Sequence, residues 1–140
     1  MLELSFHHVS LPTRDLEKSA EFYEKVIGLK RTQRPPFKTV GIWFGVGRNQ
    51  IHLIVYPEAS FRPSKKVDSS DIHFALRVED FEAAYKQISS HGYNENLPDL
   101  HPKKMLLRRS GNAGFPQLFV MDPDFNTIEI NVGPFEHVAA

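Results

Sequence analysis

The sequence predicts an α+β protein built from two copies of one strand–helix–strand module. This prediction rests on two stretches of the 140-residue sequence that are each repeated further along the chain. The stretch 6–16 reappears 65 positions later as 71–81, and the stretch 49–55 reappears 77 positions later as 126–132. Two repeats in the same order indicate an internal duplication. A duplication constrains the fold because both copies are expected to form the same structure.

The sequence repeats divide the chain into two modules within one domain, residues 1–140. Module one covers about residues 5–56, and module two covers about residues 71–132. The linker 57–70 is rich in Pro, Ser and charged residues, and a short tail, 133–140, follows module two. A module of about 60 residues buries little surface alone, so we expect the two copies to pair.

Each module is predicted to open with a strand that leads into a helix. Asp15 and Asp80 are suited to capping the helix N-termini, because a short carboxylate can accept hydrogen bonds from the first-turn amides. Apolar residues then recur at helical spacing through residue 27 and residue 88. Gly28 and Gly92 follow, where glycine readily adopts the left-handed conformation that ends a helix.

The remaining strands come after each helix. Module one is predicted to contain strands at 39–46 and 50–56, and module two at 117–121 and 127–132. Residues 96–116, rich in Pro, Gly and basic residues, are predicted to form a long loop.

Composition excludes several classes of function. The chain has 17 basic and 17 acidic residues, so no global positive field favours nucleic acid or an anionic membrane. It has no cysteine, which excludes disulfides, thiolate metal sites and cysteine nucleophiles. No signal peptide or apolar run long enough to span a membrane is visible, so a cytoplasmic location is expected.

Four potential metal ligands lie at equivalent positions in the two modules, according to the alternation of side chains along each strand (strand parity). Side chains alternate between the faces of a strand, so His8, His52, His73 and Glu129 lie opposite the apolar faces of their strands. Three imidazoles and a carboxylate suit one divalent ion, with Zn, Ni, Fe and Mn as candidates. The other histidines are expected outside the site: His7, His91, His101 and His137.

The sequence resembles the vicinal oxygen chelate superfamily, which includes glyoxalase I, methylmalonyl-CoA epimerase, fosfomycin- and bleomycin-resistance proteins and extradiol dioxygenases. The matching stretches run from residue 6 to residue 132: His7–Leu11, Asp15–Ser19 with Phe22 and Tyr23, Val26–Leu29, Ile51–Leu53, Ile72–Phe74, and Asp122–Asp124 through Ile128–Ile130. The resemblance implies two βαβββ modules that form a cupped mixed sheet around a single metal-binding cleft. It assigns the ligand positions to His8, His52, His73 and Glu129, in agreement with parity.

Two positions depart from the family pattern. His52 stands where glyoxalase I typically has a carboxylate. Phe125 stands where a glycine commonly follows Asp-Pro-Asp, which affects the expected turn more than the ligands.

Three functions are compatible with this resemblance. The first is a metal-dependent lyase or isomerase of the glyoxalase type, acting on a small substrate chelated through adjacent oxygens. There Glu129 would be the catalytic residue and would shuttle the proton. The second is a non-haem Fe(II) extradiol-type dioxygenase that uses only His8, His73 and Glu129. The third is a binding protein without turnover, like bleomycin-resistance proteins. The family also implies a homodimer, and no organic cofactor is expected.

Further residues are candidates for the substrate pocket. Five lie on or beside the predicted strands: Trp43, Phe44, Tyr56, Arg77 and Gln117. For Trp43 and Phe44 core packing is the favoured alternative, and Arg77 could instead pair with a carboxylate. The predicted long loop also carries four cations, which either close over an anionic group or remain solvated: Lys103, Lys104, Arg108 and Arg109.

Overall fold

A computed structural model describes residues 1–135 and gives each repeat the same order of strand, helix and three strands. The chain separates into two compact units, Met1–Arg62 and Pro63–Ala140, and their boundary falls within the predicted linker. The first unit contains β1 (His8–Thr13), α1 (Leu16–Glu21), a π-helical continuation (Phe22–Ile27), β2 (Lys30–Thr32), β3 (Gly41–Val46) and β4 (Asn49–Val55). The second contains β5 (His73–Arg77), α2 (Phe81–Ser89), β6 (Leu106–Arg108), β7 (Gln117–Met121) and β8 (Thr127–Asn131).

Each unit forms a four-stranded mixed sheet with the same topology. The strand orders are β1-β4-β3-β2 and β5-β8-β7-β6, with the first and last strands of each unit parallel and the other pairs antiparallel. The register repeats as well, because His8 pairs with Gln50 and His73 pairs with Thr127, 77 positions after Gln50. The duplication read from the sequence is therefore present in the strand pairing, and the two-module α+β fold is confirmed.

The helix signals act as expected at both N-termini. The Asp15 carboxylate accepts a hydrogen bond from the Lys18 amide at 3.1 Å, and the Asp80 carboxylate accepts one from the Ala83 amide at 3.0 Å. Gly28 ends the first helical segment with φ 92°, in the left-handed region that costs glycine little.

Much of the core of each unit lies on the apolar sheet face. In the first unit, Leu11 and Leu53 are buried with the helix residues Tyr23 and Val26. In the second, Leu76 and Ile130 occupy the corresponding face, and Phe81 and Ile88 of α2 are buried. The opposite face of each sheet carries the candidate ligands, and in the second unit it also carries the buried side chains of Phe119 and Met121.

The structure corrects several local expectations. The short strands β2 and β6 were not predicted from the residue pattern, and β6 lies inside the segment expected to be a loop. The first helix is α-helical only to Glu21 and continues as a π-helix. The predicted linker is not wholly exposed, because Val67 is buried with Phe119 and Met121.

Within residues 1–135, no helix combines the length and the apolar character needed to cross a bilayer. The expectation for His137 lies outside the described residues.

Candidate metal centre

The second unit brings together the two predicted ligands that are 56 residues apart in sequence. The Nε2 atom of His73 lies 3.2 Å from Oε1 of Glu129. The Nδ1 atom of His73 lies 2.7 Å from the Asp71 carbonyl oxygen, which can only accept a hydrogen bond. In the neutral ring Nδ1 therefore carries the proton, and Nε2 presents a lone pair towards the carboxylate.

This geometry fits two ligands of one metal ion. Zinc lies about 2.0–2.2 Å from imidazole nitrogen and carboxylate oxygen, so two such atoms at angles of about 90–109° would be about 3.0–3.5 Å apart. A neutral His73 would otherwise place two hydrogen-bond acceptors against each other. A cation between them, or a proton on Nε2, removes that conflict. The carbonyl on Nδ1 is also the usual means of orienting a metal-binding histidine.

Amide donors fix the other carboxylate oxygen of Glu129. Its Oε2 accepts hydrogen bonds from Nδ2 of Asn131 at 2.6 Å and Nε2 of Gln117 at 3.2 Å. Glu129 is 7% exposed, so it depends on these donors more than a surface carboxylate would. Oε1 is therefore the atom left for a metal ion or a proton.

The first unit brings its two predicted ligands together in a different arrangement. The rings of His8 and His52 are stacked, with centroids 4.0 Å apart and planes 16° from parallel. Trp43 covers the other face of His52 at 3.9 Å, with the planes within 2° of each other. Gln50 accepts a hydrogen bond from Nε2 of His52 at 2.8 Å.

This stack does not fit two ligands of one ion as it stands. A metal ion lies close to the plane of each imidazole that binds it, and two nearly parallel planes about 4 Å apart do not meet at a common ion. His8 is the exposed member of the stack, with its Nδ1 within 2.8 Å of Nδ1 of His7. Joint ligation would thus require rotation of one ring. Neither unit by itself gathers three or more His, Asp or Glu side chains that could hold a metal, within residues 1–135.

The electrostatics keep His52 uncharged at neutral pH. Burial of the ring is the main cause, followed by the nearby charges of His8, His7 and Arg34, and together they lower the pKa of His52 to about 4. The neutral ring stacks on Trp43 and donates a hydrogen bond to Gln50 through Nε2. The lone pair of Nδ1 is then the one that could bind a metal ion.

The predicted pocket residues have separate environments. Phe44 is fully buried and contacts Tyr23, so it is a core residue. Tyr56 is 49% exposed. Arg77 donates to the Gly133 carbonyl and pairs with Glu79, which matches the structural role considered for it. Trp43 and Gln117 do contact candidate ligands, as described above.

Three of the four loop cations are engaged within the second unit. Lys103 donates to the His91 carbonyl, Lys104 donates to two carbonyl groups, and Arg109 pairs with Glu82. Arg108 instead lies over the Phe119 ring, 5.9 Å from its centroid.

Sequence reasoning did not assign roles to Gln50 and Asn131. Each lies two positions from a candidate ligand on the same strand, and hence on the same face. The parity that selected His52 and Glu129 would also have selected these neighbours, had amide side chains been considered as supports for ligands.

Comparison with known proteins agrees with this architecture. Residues 5–130 match the family model described as the Glyoxalase/Bleomycin resistance protein/Dioxygenase superfamily. The chain is 32% identical over 129 residues to Glyoxylase I 4 of Arabidopsis thaliana, covering 90% of this chain and 69% of that protein.

Two solved structures share the fold at low sequence identity. A putative glyoxalase family protein from Bacillus anthracis aligns with a TM-score of 0.72 and 21% identity, over 94% of this chain and 96% of that one. The fosfomycin resistance protein FosX from Listeria monocytogenes aligns with a TM-score of 0.69 and 14% identity, over 96% of this chain and 97% of that one. The family match covers most of the chain, and the chain therefore belongs to the glyoxalase/bleomycin resistance protein/dioxygenase superfamily.

Proposed function

We propose that this protein is a metal-dependent lyase or isomerase of the glyoxalase type. The substrate would be a small molecule with two adjacent oxygen atoms, and the ligands would be His8, His52, His73 and Glu129. The observation that carries the proposal is the 3.2 Å separation of His73 Nε2 and Glu129 Oε1, which suits two ligands of one ion. The relative named Glyoxylase I 4 favours this chemistry over the others in the family.

Residues of this chain would hold the ligands in position and would transfer the proton. A divalent ion bound here would act as a Lewis acid that stabilises negative charge developing on a substrate oxygen. Glu129 would leave the ion to take the substrate proton on Oε1 and then return it, while the amides of Asn131 and Gln117 hold Oε2 in place. The Asp71 carbonyl would keep His73 in the tautomer that binds metal.

The experiment is turnover of the hemithioacetal of methylglyoxal and glutathione by protein loaded separately with Ni²⁺, Zn²⁺, Mn²⁺ or Fe²⁺. Glu129→Gln removes the base and keeps the shape, so kcat should fall by about 100-fold or more. His91→Gln, at an exposed histidine in the turn after α2, should leave kcat within about twofold. No turnover with any of the four metals would refute the proposed reaction.

A second candidate is a non-haem Fe(II) dioxygenase with His8, His73 and Glu129 as the three ligands. The stacking of His52 between Trp43 and His8 favours it, because a ring held in that way need not bind the ion. Metal content of His52→Gln separates the candidates. Loss of the ion supports four ligands, whereas retained Fe²⁺ together with oxygen uptake on catechol supports three.

A further inference from the structure

A cavity in the second unit adjoins Glu129 through a single side chain. Residues 107–113 and Gln117 line an open cavity of about 620 Å³, which we call the loop cavity. This volume lies within the usual range for small-molecule sites. Gln117 forms part of its wall and also donates to Oε2 of Glu129, so a molecule in the loop cavity would be one residue away from the candidate metal ligand.

The lining of the loop cavity is suited to an anion. It contains two arginines, a serine and two amide side chains, and it contains no carboxylate. Arg109 is already paired with Glu82. Arg108 takes part in none of the ion pairs of the described residues, although it also lines a second cavity, of about 220 Å³, that Asp68 and Asp99 border.

The internal repeat gives Arg108 a counterpart in the first unit. Trp43 pairs with His52 and Thr32, while Phe119 pairs with Glu129 and Leu106. Two positions beyond Thr32 and Leu106 lie Arg34 and Arg108, so these arginines occupy equivalent places in the two units.

The two arginines differ because the residue beside each differs. Arg34 lies against Gly41, where an added Cβ would be 3.2 Å from its guanidinium carbon, and it donates to Thr39. In the second unit Gln117 occupies the place of Gly41 and pairs across the strands with Arg108. The side chain of Arg34 therefore packs against strand β3 of its own sheet. The side chain of Arg108 is instead exposed at the wall of the loop cavity.

We propose that the loop cavity binds a carboxylate group of the substrate, with Arg108 as the cation that recognises it. A guanidinium can hold a carboxylate through two parallel hydrogen bonds, and the surrounding amide and hydroxyl groups add donors. One guanidinium offers two parallel donors, which the two oxygens of a carboxylate group fill, whereas the third oxygen of a phosphate would be left without a cation. This inference extends the proposed function. It rests on that function in one respect, because only a substrate bound at the metal would make the carboxylate part of the substrate.

The test is calorimetric titration of the full-length, metal-free protein with succinate, with neutral succinamide and with inorganic phosphate. We expect saturable binding of succinate, weaker binding of phosphate and none of succinamide. Arg108→Gln should weaken succinate binding by about tenfold or more, since hydrogen bonds to charged groups are among the stronger ones. Arg109→Gln removes the same charge from the same wall, and it should change the affinity by no more than about twofold.

Arg108→Lys keeps the charge without the paired hydrogen bonds and should give an intermediate affinity, which also guards against misfolding of the Gln variant. No succinate binding, or equal losses in the Arg108 and Arg109 variants, would overturn the proposal. Tighter binding of phosphate would overturn the assignment to a carboxylate. Because no metal or turnover is involved, the result is independent of whether the proposed reaction occurs.

Discussion

The turn before β8 offers a sharp test of how the sequence determines the structure near the candidate site. Phe125 has φ 64° and is the only residue other than glycine with a positive φ among the described residues. The Asp122 carboxylate holds the turn by accepting hydrogen bonds from the backbone amides of Asp124 and Asn126, both at 2.9 Å. The turn thus keeps Phe125 in a conformation that L-residues disfavour by about 1–2 kcal/mol.

Replacing Phe125 by glycine and by alanine separates backbone strain from packing. Both variants lose the same contacts of the ring with Val67, Phe119 and Met121. Glycine relieves the strain but costs about 0.5–1 kcal/mol of chain entropy relative to alanine. Phe125→Gly should therefore be more stable than Phe125→Ala by about 0.5–1 kcal/mol.

The measurement is urea unfolding at equilibrium, compared with a matched pair at Phe37, which is exposed and has no positive φ. There the order should reverse, with Phe37→Gly less stable than Phe37→Ala by about 0.4–1 kcal/mol. If glycine is the less stable choice at both positions by a similar margin, the strain assigned to Phe125 is absent.

Three further predictions concern the two sheets. Asn131→Ala should weaken Zn²⁺ affinity by about 10–100-fold in a competition titration, because it removes the 2.6 Å bond that orients Glu129. The unfolding free energy of metal-free protein should fall as the pH is lowered from about 6.5 towards 4, since the unfolded chain takes up the proton that folded His52, with its pKa of about 4, excludes. Gly41→Ala should destabilise the first unit by about 2–3 kcal/mol in urea unfolding, because its methyl would overlap a backbone oxygen of β4, whereas Gly45→Ala meets no atom within 4 Å.

Each of these predictions has a control. Asn96→Ala, an exposed amide away from Glu129, should leave Zn²⁺ affinity unchanged, and an equal loss would mean that the Asn131 effect is not local. His52→Phe keeps an aromatic ring beside Trp43 and should reduce the acid dependence of stability. An unchanged pH profile would assign that dependence to other groups. Equal stabilities of the Gly41 and Gly45 variants would contradict the close approach of β4.

The sequence predicted the repeating parts of this fold because they depend on local chemistry. Alternation along the strands identified which faces are apolar, and the carboxylates of Asp15 and Asp80 do cap the helices. The edge strands β2 and β6 are three residues each, too short to show an alternation, and they form only because a neighbouring strand supplies hydrogen-bond partners.

Within the candidate site, the sequence identified types of residue better than their geometry. Parity placed His73 and Glu129 on one face, and the parallel pairing of β5 with β8 brings them to 3.2 Å. Parity equally placed His8 and His52 on one face, but it did not predict that their rings would stack. That outcome depends on Trp43, which reaches His52 from the adjacent strand β3.

The sequence by itself determined the duplication, the two-module α+β architecture and the identity of the candidate ligands, since these follow from composition and periodicity along the chain. Only the tertiary structure decided which oxygen of Glu129 the amides leave for His73, that His52 is held between two rings, and that Arg108 is exposed whereas Arg34 lies against Gly41. These features depend on side chains that meet across strands, at distances set by register and packing, and no local pattern in the chain encodes them.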